Sequence, residues 1–265
     1  MSRLATRFEQ LQSKQQKALV SYVMAGDPHP EVTVPLLHRM VDAGVDVIEL
    51  GLPFSDPMAD GPVIALAAER ALAGGTNTLD ALAMVKEFRQ KDQTTPVVLM
   101  GYLNPVEVIG YETFVAKAHE CGVDGILLVD LPPEESDQFN QVLRQYDMNQ
   151  IFLLAPTSTD ERIQHVIKQA SGFIYYVSLK GVTGAATLDT SEAAQRIEKI
   201  KSQTNIPVGA GFGISDAQSA KAMGAVADAV IVGSALVKPF AVLPPEQAAE
   251  QTVNKVKELR AALDE

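Results

Sequence analysis

Short aliphatic and β-branched runs recur along the chain, separated by longer segments in which apolar positions return every three or four residues. Eight such runs predict strands at about 18–25 (ALVSYVMA), 46–51 (DVIELG), 96–102 (PVVLMGY), 125–130 (GILLVD), 150–155 (QIFLLA), 173–179 (FIYYVSL), 206–211 (IPVGAG) and 229–233 (AVIVG). Most are apolar at nearly every position, as required of parallel strands covered on both faces rather than half-exposed antiparallel ones. The intervening stretches have helical length and period, at 31–43, 62–73 with 78–91, 112–121, 134–146, 159–169, 191–203, 215–223 and 245–263. Ahead of them, RLATRFEQLQ repeats apolar residues at Leu4, Phe8 and Leu11, which predicts a short amphipathic helix plugging one end of the sheet.

Three strands share one punctuation: AGVDVIEL, CGVDGILL and AVADAVIV each close a helix on Gly or Ala and open a strand on Asp, with Gly44 and Gly122 placed as helix C-caps. Eight βα units without a linker-like break predict an α/β chain folded as a (β/α)8 TIM barrel with an extra N-terminal helix, a single domain over 1–265. An open, doubly wound sheet is the alternative.

Charge changes the picture of possible ligands. A formal net charge of −11 argues against nucleic acid as a partner, and means that any bound phosphate is held locally by backbone N–H groups and helix ends. No uncharged run approaches spanning length, so a membrane role has no support. The single Cys121 forms no internal disulfide, and the N-terminus has no apolar secretory region; both suit a reducing cytoplasm. His29, His38, His119 and His165 stand singly without metal-ligand spacing.

In a barrel the loops after the strands build the active site. Two read as phosphate binders, GAGFGIS (209–215) and VGSALVKPF (232–240), where glycines let backbone approach an anion and Ser215 or Ser234 is placed to cap the following helix. The loop LKGVTGAATLD (179–189) has the length and paired glycines of a lid. Strand parity then singles out one acid. With Ile48 and Leu50 facing the helices, Val47, Glu49 and Gly51 face the interior, so Glu49 sits at the mouth among apolar neighbours that raise its pKa. A buried, hydrogen-bonded structural Glu is the competing reading. Asp56 and Asp60 follow on the same loop, where either also fits an ordinary turn or cap.

At these residues the sequence resembles the family of tryptophan synthase alpha chains. The match runs in order from AGDP (25–28) through IELGLPFSDPMADGP (48–62), GYLNP (101–105), GILLVDLPPEE (125–135), APTS (155–158), GVTGA (181–185) and GFGIS (211–215) to VGSALV (232–237), covering nearly the whole chain. The resemblance implies a lyase of tryptophan biosynthesis that cleaves indole-3-glycerol phosphate to indole and glyceraldehyde 3-phosphate, without metal or organic cofactor. It implies Glu49 as proton-transferring acid/base and Asp60 as acceptor of the indole N–H. It further implies phosphate on backbone groups around Gly184, Phe212, Gly213, Gly233 and Ser234, and indole against Tyr22, Met100, Tyr102, Leu127, Leu153, Tyr175 and Phe212, with Thr183 fastening Asp60 under a closed lid. Asp56, Pro57 and GYLNP would meet a beta chain that receives the indole, in an alpha-beta-beta-alpha tetramer. This chain departs from many relatives in VMAGDP, in Tyr22 where Phe is common, and in SLKGVTG; none of these removes a proposed catalytic group.

Three other readings are open to the sequence: a Schiff-base aldolase using Lys180, a metal-dependent aldolase, and a catalytically silent barrel that binds phosphate and activates a beta chain.

Overall fold

The structure, a computed structural model, describes residues 2–177, 190–211 and 213–265. Its strands are β1 (Ala18–Met24), β2 (Val47–Gly51), β3 (Val97–Gly101), β4 (Gly125–Leu128), β5 (Asn149–Gln150), β6 (Phe152–Leu154), β7 (Ile174–Val177), β8 (Val208–Gly211) and β9 (Ala229–Val232). They form one sheet in the order β5-β4-β3-β2-β1-β9-β8-β7-β6, every pairing parallel. The two ends of that order, β5 and β6, are consecutive in the chain and separated only by Ile151. They are the two halves of the strand expected at 150–155, so the sheet closes on itself and the open doubly wound alternative falls.

Around the barrel lie α1 (Arg3–Ser13), α2 (Pro30–Asp42), α3 (Pro62–Ala73), α4 (Thr78–Phe88), α5 (Leu103–Ile109), α6 (Tyr111–Cys121), α7 (Asp137–Gln145), α8 (Asp160–Gln169), α9 (Thr190–Lys201), α10 (Ala217–Gly224), α11 (Ser234–Val237) and α12 (Pro245–Asp264). Two of these, α5 and α11, were not expected from the sequence. Each is under two turns long, too short to show a period. Gly122 ends α6 in the left-handed region at φ +88°, as its place in the pattern required.

Side-chain parity divides the core. Ile48, Leu50, Leu19, Val97, Leu99 and Ile126 pack outward against the helices in one cluster. Val20, Val47, Val98, Leu127, Ile151, Phe173 and Ile231 point inward and form a second cluster. The expected N-terminal plug completes that inner cluster: Leu4, Phe8 and Leu11 are buried in it, and the Phe8 ring lies 6.0 Å from that of Phe173. Ser2 caps the plug helix by accepting the N–H of Ala5.

The repeated Asp at the strand starts has a common job at this end. Asp46, just before β2, accepts the N–H of Leu19 in β1 at 2.9 Å; Asp124, before β4, accepts that of Val97 in β3 at 2.8 Å; Asp228, before β9, accepts that of Val208 in β8 at 3.0 Å. Each also meets cations. Arg260 reaches Asp46 at 2.9 Å, Arg89 and Arg3 reach Asp124 at 2.8 and 3.0 Å, and Lys201 reaches Asp228 at 2.6 Å. Each Asp thus stitches neighbouring strands together where their hydrogen-bond ladder begins. These acids are structural, and they leave the opposite end of the barrel to chemistry.

Candidate functional site

At the strand C-termini, β2 brings Glu49 inward with 1% of its surface exposed. Tyr22 of β1 is its register partner on one side and Val98 of β3 on the other. One carboxyl oxygen, Oε1, is buried without any hydrogen-bond partner among the described residues. The competing structural reading calls for hydrogen-bonded oxygens, and this one has none among the described residues. Burial, reinforced by the negative charge of Asp60, pushes its pKa up to about 8.

Beyond β2 the chain turns through Phe54, Pro57 and Met58 before α3 starts at Pro62 with Gly61 as its N-cap. Proline in the first turn needs no N–H partner, and no side chain caps this helix. Neither Asp56 nor Asp60 is therefore spent as a cap. Asp60 is half-buried, and burial raises its pKa to about 6 against a hydrogen bond from Tyr102 that lowers it. The Tyr102 phenol donates to Asp60 and accepts the N–H of Ala59 at 3.0 Å, while its ring packs against Phe54 with centroids 5.4 Å apart. Phe54 was not anticipated; its one signal was an aromatic residue inside a proline-flanked turn. At neutral pH the two acids hold different states: Glu49 mostly protonated and Asp60 mostly ionised.

Tyr22, Met100, Tyr102, Leu127, Leu153 and Tyr175 all lie at this mouth or in the barrel interior beneath it. Met100, Leu153 and Tyr175 pack on the inner cluster that contains Leu127, and Tyr22 packs with Met24, Val237 and the small face Ala67, Ala68 and Ala71 of α3. Burial and the charge of Glu49 hold the Tyr175 phenol well above its usual pKa, which places that carboxyl beside both tyrosines. The glycines ending β2 and β8 make room for these rings. A Cβ on Gly51 would lie 2.1 Å from the Tyr22 hydroxyl, and one on Gly211 would lie 2.6 Å from the Tyr175 hydroxyl. Neither pairing is visible without the strand register.

The two expected phosphate loops follow β8 and β9. Gly213 has φ +69° and is exposed, and Gly233 precedes α11, whose first residue is the exposed Ser234. Capping differs from expectation. Asp216 caps α10 in a reciprocal arrangement with Ser219, in place of Ser215, and Ser234 is the first residue of α11, with Gly233 at the cap. Ser215 lies one residue before the cap position, where Asp216 accepts the N–H of Ser219 at 2.8 Å, and Ser234 lies one residue too far along. Thr183, Gly184 and Phe212 lie outside the described residues, as does Lys180 of the Schiff-base alternative.

A closed parallel barrel with a buried acid and a second, half-buried one at the ends of its strands has the architecture of an α/β-barrel enzyme. Comparison with known proteins makes this specific. The profile of the tryptophan synthase alpha chain family matches residues 8–265. Over 265 residues the chain is 83% identical to the tryptophan synthase alpha chain of Acinetobacter baumannii strain ATCC 17978, covering 100% of this chain and 99% of that one, and 82% identical to that of Acinetobacter baylyi with the same coverage. Among solved structures it resembles tryptophan synthase subunit alpha from Legionella pneumophila strain Paris, with TM-score 0.92 and 43% identity over 100% of this chain and 99% of that one. A tryptophan synthase structure from M. tuberculosis in its aminoacrylate-bound form matches with TM-score 0.89 and 32% identity over 99% and 100%. The chain belongs to the tryptophan synthase alpha chain family. It is a carbon–carbon lyase acting on indole-3-glycerol phosphate.

Proposed function

We propose that Glu49 and Asp60 divide the cleavage of indole-3-glycerol phosphate between them. The reaction breaks the bond from indole C3 to the side chain, so C3 must gain a proton, the ring nitrogen must carry positive charge, and the adjacent side-chain hydroxyl must lose its proton. Glu49, protonated at neutral pH, donates to C3; the carboxylate that results then takes the hydroxyl proton as the carbon–carbon bond breaks and the aldehyde forms. Asp60, ionised, accepts the indole N–H and stabilises the cationic ring. The observation that carries this reading is the buried Glu49 oxygen without a partner, held beside a second acid of lower pKa.

In the same reading, Gly184, Phe212, Gly213, Gly233 and Ser234 receive the phosphate through backbone groups. Tyr22, Met100, Tyr102, Leu127, Leu153, Tyr175 and Phe212 receive the indole, and Thr183 fastens Asp60 when the lid closes. An alpha chain's partner is a beta chain, and the finer assembly, an alpha-beta-beta-alpha tetramer in the cytoplasm, belongs to this proposal. Support for the docking face comes from Met58 and Val108, exposed by 83% and 82% on the loop after β2 and on α5. Among the described residues no helix is long and apolar enough to cross a membrane.

The test is release of glyceraldehyde 3-phosphate from indole-3-glycerol phosphate by the purified chain with a beta chain added. Release that collapses in Glu49→Gln supports the assignment; undiminished release in that variant overturns it. Survival of beta-chain activation in the same variant would show regulation to be separable from cleavage.

A further inference from the structure

The phenol of Tyr22 is a buried polar group to which the cleavage reaction assigns no part. Its residue is 4% exposed, and the only hydrogen-bond partner of its hydroxyl among the described residues is the thioether of Met24 at 3.9 Å, a weak acceptor. A buried hydroxyl so poorly satisfied carries a cost, typically removed by a ligand or ordered water.

Its placement limits what that ligand atom can be. The stem of Tyr22 runs beside Gly233 of the loop after β9: a Cβ there would lie 3.5 Å from Tyr22 Cβ and 3.8 Å from Cγ. The ring then crosses toward β2, where the hydroxyl occupies the space left by the missing side chain of Gly51. One end of the residue therefore lies at the proposed phosphate loop and the other beside Glu49 and Asp60. Indole-3-glycerol phosphate, laid with its phosphate at Gly233 and Ser234 and its ring at the two acids, carries its hydroxyl-bearing carbons across this tyrosine. Burial first, then the negative charges of Asp60 and Glu49, keep the phenol protonated, so it is available as a donor.

We propose that the Tyr22 hydroxyl donates a hydrogen bond to a hydroxyl oxygen on the glycerol chain of the bound substrate, making Tyr22 a specificity-determining residue that reads this hydroxylated chain. The inference rests on the substrate reading above and adds a contact to it. A phenylalanine here would fill the same space and supply the same face to the indole, but would not distinguish a hydroxylated chain from a bare one.

The experiment measures equilibrium binding by calorimetry in a Glu49→Gln background, where substrate is not consumed, with and without Tyr22→Phe. Two ligands are compared: indole-3-glycerol phosphate and 3-(indol-3-yl)propyl phosphate, which has the ring and phosphate but no chain hydroxyls. The expected result is a loss of about tenfold in affinity for the substrate with less than about a twofold change for the deoxy compound, in line with the loss of one hydrogen bond to a buried group. Retained binding of the deoxy compound also shows that the variant is folded. Equal losses for both ligands would mean that the hydroxyl acts on the pocket or on Asp60 instead, and no change for either would mean that it touches neither ligand; both results overturn the inference. If the Glu49→Gln parent binds neither ligand, the substrate reading itself fails, and this contact with it.

Discussion

Holding Glu49 neutral has a thermodynamic consequence that separates its burial from its catalytic role. In the unfolded chain this acid titrates near 4.5, and in the fold it titrates at about 8. Its folded pKa is the higher one, so its contribution to stability is fully present below the unfolded value and is lost as pH rises through the folded value. Each pH unit between the two removes about 1.4 kcal/mol. Glu49→Gln has no proton to lose, so the stability of the wild type relative to the variant should fall by roughly 3 to 4 kcal/mol between about pH 5 and about pH 8. With the residue only 1% exposed, solvent screening does little to reduce this. The amide of glutamine brings its own unmet hydrogen bonds, worth about 1–3 kcal/mol, but that penalty is independent of pH and cancels in the comparison. Urea denaturation of both proteins across this range measures the difference directly, since every other titrating group is shared. A difference that stays flat with pH would show that Glu49 is not held protonated by its surroundings, and the proton-donor argument would go with it. Activity in the same variant should drop by about 10²–10⁴-fold.

The remaining expectations follow from the same geometry. A plot of kcat/KM against pH should be bell-shaped, falling below about 6 as Asp60 gains a proton and above about 8 as Glu49 loses one, and a profile flat across either limb would remove that acid from the mechanism. Gly51→Ala should push the Tyr22 ring out of place, since the added Cβ would lie 2.1 Å from its hydroxyl, at a cost of about 1–3 kcal/mol in denaturation; Tyr22→Phe in the same chain should recover part of the loss, and additive effects would contradict the contact. Phe8→Ala should cost about 3–5 kcal/mol in stability and leave kcat/KM within about twofold, because the plug closes the barrel at the end away from Glu49; a selective loss of activity would refute that separation. Asp124→Asn, which weakens the hold on Arg89, Arg3 and the Val97 amide together, should likewise lower stability by about 3–5 kcal/mol as read by denaturant midpoint, with the pH profile unmoved.

The barrel was legible because each strand is buried on both faces, so its apolar run stands out whole, and because parity within DVIELG is enough to turn Glu49 inward. The break between β5 and β6 was not legible, since QIFLLA is uniformly apolar after its first residue and the break is one of pairing rather than of composition. Helix α5 was hidden by Pro105, which reads as a loop residue although the first turn of a helix tolerates it. In the site, single residues were readable and contacts between them were not. Tyr102 was expected as a wall of the indole slot, whereas its hydroxyl ties Ala59 and Asp60, and that depends on how a loop folds back across β3. Tyr22 over Gly51 is likewise a relation between neighbouring strands, set by a register that no one-dimensional pattern contains.

The acids that precede β2, β4 and β9 meet different partners from Glu49 and Asp60 at the other end of the barrel. Asp46, Asp124 and Asp228 meet strand amides and arginine or lysine side chains. Glu49 meets apolar walls and the charge of Asp60, and Asp60 meets the phenol of Tyr102; burial disfavours the charged form of each. A buried carboxyl oxygen left without a partner among the described residues can be met by a substrate instead. The difference originates in strand direction. Parallel strands begin at one end, where Asp46, Asp124 and Asp228 pair with the amides of Leu19, Val97 and Val208, and end at the other, where Glu49 Oε1 is left without a partner among the described residues.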